Sequence, residues 1–139
     1  MIRRILFAIF VVSLCDIAAA QTVMDGSDKA IPEAEMTTLT KALRSALVDP
    51  FSAQLIELRR ASAGICGKIN SKNRVGGYDG FRPFAANFQT NKLAIALPDI
   101  DLPENPESLP TPQLKKIRSD IAKRIAALKA VQSICSSTQ

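Results

Sequence analysis

Residue types suited to chemistry are densest between Ile65 and Phe84, where the chain reads ICGKINSKNRVGGYDGFRPF. Lys68, Lys72, Arg74 and Arg82 surround Gly76, Gly77 and Gly80. Glycine reaches backbone angles closed to other residues, so a loop of this composition can turn amides and cations toward an anion. It is not a phosphate-binding P-loop, because the glycine to Gly-Lys-Ser/Thr spacing is missing. The same residues also make tight turns, in which asparagine and glycine abound, and cations keep strand edges soluble. On residue type alone, binding and turn-making both stand, with Lys68, Asn70, Lys72, Asn73, Arg74, Tyr78 and Arg82 as the candidate contact set.

Other chemistry has little to work with. The chain has no histidine and no tryptophan, which removes the commonest general base and metal ligand. There is no Cys-x-x-Cys spacing, and Asp79-Gly80 is too little for a calcium loop. Paired carboxylates can cleave glycosidic bonds, yet the densest group of acids, at 99–107, falls in a proline-rich stretch. A hydrolytic enzyme is therefore the weakest reading, and no metal or cofactor is implied. Tyr78, Phe81, Phe84 and Phe88 can be read as a stacking surface for bases or sugars. Phe84 and Phe88, however, share the strand face expected to form the core.

Residues 1–20 set the expected compartment. MIRR is a short cationic start, ILFAIFVVSL is an apolar run of about ten, and Ala18-Ala19-Ala20 supplies small residues for cleavage. This is the pattern of a Sec-type signal peptide, with no membrane anchor after cleavage. A lipoprotein signal ending at Cys15 is the minor alternative, with Leu14 against it, and Arg3-Arg4 lacks the flanks of a twin-arginine signal. The mature chain then keeps Cys66 and Cys135, a pair that export favours as a disulfide. Closing a loop of about 70 residues is worth roughly 4 kcal/mol on the chain-entropy model. A reactive thiol or an intermolecular bridge is the alternative.

Around the loop the elements read as follows. Residues 21–30 are polar and aperiodic, as in a flexible leader. Pro32, Glu33 and Glu35 open a helix carrying Met36, Leu39, Leu43, Ala46 and Leu47, which Asp49-Pro50 stops. Ile56 and Leu58 then alternate along one strand, and Ile65, Gly67 and Ile69 along the next. Phe84, Ala86 and Phe88 pair through the turn QTNK with Leu93, Ile95 and Leu97 as a hairpin with one apolar face. Pro83 starts, bulges or edges its strand. Residues 98–112 hold five of the eight prolines and form a stiff acidic connector. A helix over 113–136, with Thr111 as cap and Pro112 in its first turn, carries Leu114, Ile117, Ile121, Ile125, Leu128 and Cys135 on one stripe and Lys115, Lys116 and Lys123 on the other side.

These elements predict an α+β domain: helix and sheet over 31–97, an antiparallel sheet of three to four strands, and an N-terminal and a long C-terminal amphipathic helix to cover it. The basic last helix could also meet an acidic partner or an anionic membrane, but its apolar stripe is narrow and is needed for the sheet. Removing Arg3, Arg4 and Asp16 from the 18 cations and 13 anions leaves a small positive excess. That excess, behind an export signal, speaks against nucleic acid as a partner.

DPFSAQL at 49–55, followed by CGKINSKNRVGGYDGFRPF at 66–84, resembles a group of small exported bacterial proteins of unknown function. Their shared pattern is Asp-Pro-x-Ser-Ala, then Cys-Gly-x-(Val or Ile)-Asn-x-Lys-Asn, then Gly-x-Tyr-x-Gly-Phe-x-x-Phe. Asp49, Pro50, Ser52 and Ala53 match the first part; Cys66, Gly67, Ile69, Asn70, Lys72 and Asn73 the second; Gly76 or Gly77, Tyr78, Gly80, Phe81 and Phe84 the third. The resemblance implies no activity and no catalytic residue. It adds weight to binding, to an anionic envelope component or a partner protein; the alternative is a secreted inhibitor or assembly factor with an apolar interface.

Overall fold

A computed structural model describes residues 22–136. The export signal expected over 1–20 lies outside them. Five strands form one sheet in chain order: β1 (Thr22–Val23), β2 (Gln54–Ala61), β3 (Gly64–Asn70), β4 (Arg82–Asn87) and β5 (Leu93–Ile95). The helices are α1 (Glu33–Ala46) and α2 (Thr111–Cys135). The class is α+β, as expected, but the sheet has five strands and is mixed, because β1 runs parallel to β2.

That first strand corrects the expectation of a flexible leader. Thr22 donates to the Ala53 carbonyl at 3.2 Å and Met24 to that of Leu55 at 2.9 Å, and Ser27–Ala30 forms a short 3-10 turn. The segment has a task the sequence pattern hides. Strand β2 carries a bulge between Ile56 and Arg59, with Glu57 at φ 54°, and a bulge breaks the ladder and leaves backbone donors unpaired. The leader supplies their acceptors: Glu57 N–H donates to Asp25 Oδ2 at 2.6 Å and Leu58 N–H to Ser27 Oγ at 2.9 Å. Hydrogen bonds from the Ser27 hydroxyl, then from the Glu57 and Ser27 amides, hold the Asp25 carboxyl below its ordinary pKa.

The bulge also changes which residues are inside. Strict alternation places Ile56 and Leu58 together, but one extra residue flips the face. Leu55 and Leu58 are the buried pair, and Ile56 is half-buried. They join Ile65, Ile69, Phe84 and Ala86 beneath Leu39, Ala42 and Leu43 of α1; Ala42, not Ala46, is the buried alanine of that helix.

A second core occupies the opposite face of the sheet, where Ala61, Cys66 and Ala85 meet Val131 and Ile134 of α2. The helices therefore sandwich the sheet, whereas the sequence suggested one apolar face beneath both. Strand β3 lies at the centre, with Ile65 facing α1 and Cys66 facing α2. Its neighbours on the α2 side are small, which lets the helix approach closely. At Gly64 an added Cβ would collide with the Ala86 carbonyl and press on Ile134.

Only the last turns of α2 are buried. Its buried residues are Val131 and Ile134, while Ile125, expected on the covered stripe, is 48% exposed. Leu97, expected on the hairpin face, falls beyond β5 and is also exposed. A disulfide joins Cys66 to Cys135 across 69 residues, with Cα atoms 5.9 Å apart. Among the described residues no helix is long and apolar enough to cross a membrane.

Replacing both cysteines by alanine should cost about 2–5 kcal/mol of stability. Urea denaturation of the oxidised protein and of the double variant would measure it; equal midpoints would mean that the helix holds its place without the bond.

Candidate functional site

The loop between β3 and β4 is built from its own polar side chains. Asn73 Oδ1 accepts from the amides of Val75 and Gly77, both at 3.0 Å, and its Nδ2 donates to Asp79 Oδ1 at 2.9 Å. Asn73 N–H reaches the Gly77 carbonyl at 2.8 Å, and Gly76 N–H the Asn73 carbonyl at 3.0 Å. The turn closes with Gly76 at φ 86°, a region that glycine enters without steric cost. Lower down, Asn70 Oδ1 accepts from Gly80 N–H, and its Nδ2 donates to Gln54 Oε1, each at 2.9 Å.

A second set of contacts ties the loop to the turn that ends α1. Tyr78 donates its hydroxyl proton to the Ser52 carbonyl at 3.0 Å. Lys72 pairs with Asp49 at 3.5 Å and sits 5.6 Å from the centre of the Tyr78 ring. Asp49 in turn accepts from Ser52 N–H at 3.2 Å. The Ser52 side chain first, then its amide and the Lys72 ammonium, hold the Asp49 carboxyl below its ordinary pKa. The Asp-Pro-x-Ser turn and the Asn/Gly-rich loop are thus one physical unit. Because the folded pKa of Asp49 is lowered, the tie to Lys72 is present above the unfolded value and is lost as pH falls through the folded one.

This arrangement sorts the candidate contact residues. Asn70, Lys72, Asn73 and Tyr78 come together, but their polar groups are used in holding the loop. Arg82 pairs with Asp79 at 3.6 Å at the loop's foot. Lys68 is not brought to the loop: it projects from β3 on the α2 side and bonds Glu57 at 2.8 Å, beside a shallow crevice of about 220 Å³ that Arg59 and Cys135 also line. Among the described residues only Arg74, of the four cations first singled out, enters no ion pair.

What the loop offers outward is partly apolar. Val75 is 92% exposed at the tip, and Tyr78 and Phe81 are exposed below it. Across the tie, Val48 and Phe51 are exposed on the α1 turn, with the Arg44 guanidinium 5.3 Å from the Phe51 ring centre. The sequence reading overlooked Val48, Phe51, Val75 and Arg44. The available signal was an apolar side chain inside a run of turn residues, where burial is not to be had. Phe84 is fully buried and Phe88 packs at the edge of the same core, so neither belongs to a stacking surface. Among the described residues no cluster of three or more Asp, Glu or Cys is placed to hold a metal.

Asn73→Ala removes two accepted bonds and one donated bond and should cost about 1–3 kcal/mol. Asn73→Asp combined with Asp79→Asn, which keeps the acceptor and restores a donor between the two side chains, should recover part of the loss in the same urea titration; an Asn73→Ala variant as stable as the parent would show that the loop does not depend on this side chain. No protein-family model, no curated protein and no solved structure matches this chain.

Proposed function

We propose that this chain is an exported binding protein that engages a partner protein through the rim made by loop 71–81 and the turn at 48–52. The observation that carries the reading is a loop whose internal bonds are satisfied by its own side chains, while Arg74 and Val75 stand outward at its tip. A contact surface held in one shape before binding avoids the entropy of ordering that a flexible loop would lose. Export rests on the cationic and apolar start of the sequence, and a disulfide suits an oxidising compartment such as the periplasm.

The class of partner follows from the charges. A polyanion would call for several free cations, yet Lys68, Lys72 and Arg82 are each engaged by a carboxylate of this chain. A surface on which Arg74 and Arg44, outside the ion pairs of the described residues, stand among exposed valine and aromatic side chains suits a protein partner with an apolar pocket near an acidic group. That places the reading nearer to an inhibitor or assembly factor than to a polymer binder.

Tagged mature protein and an Arg74→Ala, Val75→Asp double variant would be used to recover partners from the native cell envelope. The wild type should retain a specific partner that the equally folded double variant loses. Recovery of the same partner by both, or of none by the wild type, would overturn the assignment.

A further inference from the structure

The long helix extends well past the sheet it serves. Its 25 residues span about 37 Å at roughly 1.5 Å per residue, whereas five strands are only about 19 Å across at roughly 4.8 Å spacing. Over the N-terminal half of α2 the covering layer is the proline-rich connector, held by Arg124 to Asp99. The cover is incomplete. Leu114, Ile117 and Ile121 remain half-exposed along a cleft of about 300 Å³ whose other wall is Leu102 and Pro106. Ile125, one turn further along the same face, is 48% exposed, and Leu102 is 58% exposed.

The two segments that wall this cleft carry opposite charge, although of their charged residues only Arg118 lines the cleft itself. Asp101 and Glu104 project from the connector, and Lys115 and Arg118 from the helix, all exposed. Among the described residues none of these four enters an ion pair. An apolar trough with an acidic rim on one side and a basic rim on the other is self-complementary. Turned about a two-fold axis that runs along the trough, the basic rim of one copy meets the acidic rim of the other, and the apolar residues meet between them. Isologous dimers need this kind of surface.

We propose that the occupant of this cleft is a second copy of the same chain, each α2 helix lying over the connector of the other copy. The surface is separate from the rim at 71–81, so a dimer would present two such rims and could bind a repeated partner with gain from linkage.

The test is sedimentation of the mature, oxidised protein across about 1 µM to 1 mM, a range in which modest self-association is visible. Two double variants accompany it, Lys115→Glu with Arg118→Glu and Asp101→Lys with Glu104→Lys, with circular dichroism to show that each is folded. The wild type should form a concentration-dependent dimer that weakens with salt. Each variant alone should remain monomeric at concentrations where the wild type dimerises, since like charges then face one another. An equimolar mixture of the two should dimerise again, because both rims are complementary in the mixed pair. A wild type that stays monomeric, a variant that still dimerises alone, or two folded variants that fail to recover on mixing would each overturn the proposal.

Discussion

Strand β3 is apolar on both faces, and the bond from its Cys66 to Cys135 is the constraint on which the arrangement of the molecule rests. On one side, Ile65 and Ile69 pack under α1 in a core of ordinary size for a short chain. On the other, the cover is a helix that buries little beyond Val131 and Ile134. So small an apolar contact is weak support for a 25-residue helix. The covalent link makes the attachment durable, and small residues at Ala85 and Gly64 let the helix come close enough to form it.

With the sheet fixed in this way, its two ends take different roles. At the end where β3 gives way to β4, the chain forms a closed loop joined to the α1 turn through Tyr78 and Lys72. The carboxylates, asparagines and most cations there are partners to one another, so the chemistry they suggest in isolation is already used. The groups left facing water are those whose bonds are not needed for the shape. Beyond the sheet on the α2 side, the acidic connector runs along the basic helix without covering its apolar face. Among the described residues, the internally bonded rim and the open trough are two surfaces whose apolar side chains face water.

Much of the architecture was legible in the sequence because it follows simple periods. Leu39 and Leu43 on a helix, Phe84 and Ala86 on a strand, and prolines at 98–112 state their roles directly. The bulge at Glu57 was not legible, since one inserted residue shifts the inward pair from Ile56 and Leu58 to Leu55 and Leu58. Nor was β1, whose two residues are too few for any pattern and whose role is to complete the bulged strand. In the candidate stretch, what each side chain bonds to was not legible. Cations looked available for a ligand because their carboxylate partners, Glu57 and Asp49, lie 11 and 23 residues away. Pairing over that distance depends on strand register and turn placement, which composition does not reveal.

The central claim is that the loop at 71–81 holds its shape without a partner. Amide hydrogen exchange of the isolated, oxidised protein, read residue by residue, tests it most directly. The amides of Val75 and Gly77, bonded to Asn73, and that of Gly80, bonded to Asn70, should exchange more slowly than the amide of Arg74 beside them. Exchange of all four at the rate of an unfolded chain would contradict the account, because the rim would then be formed only by what it binds.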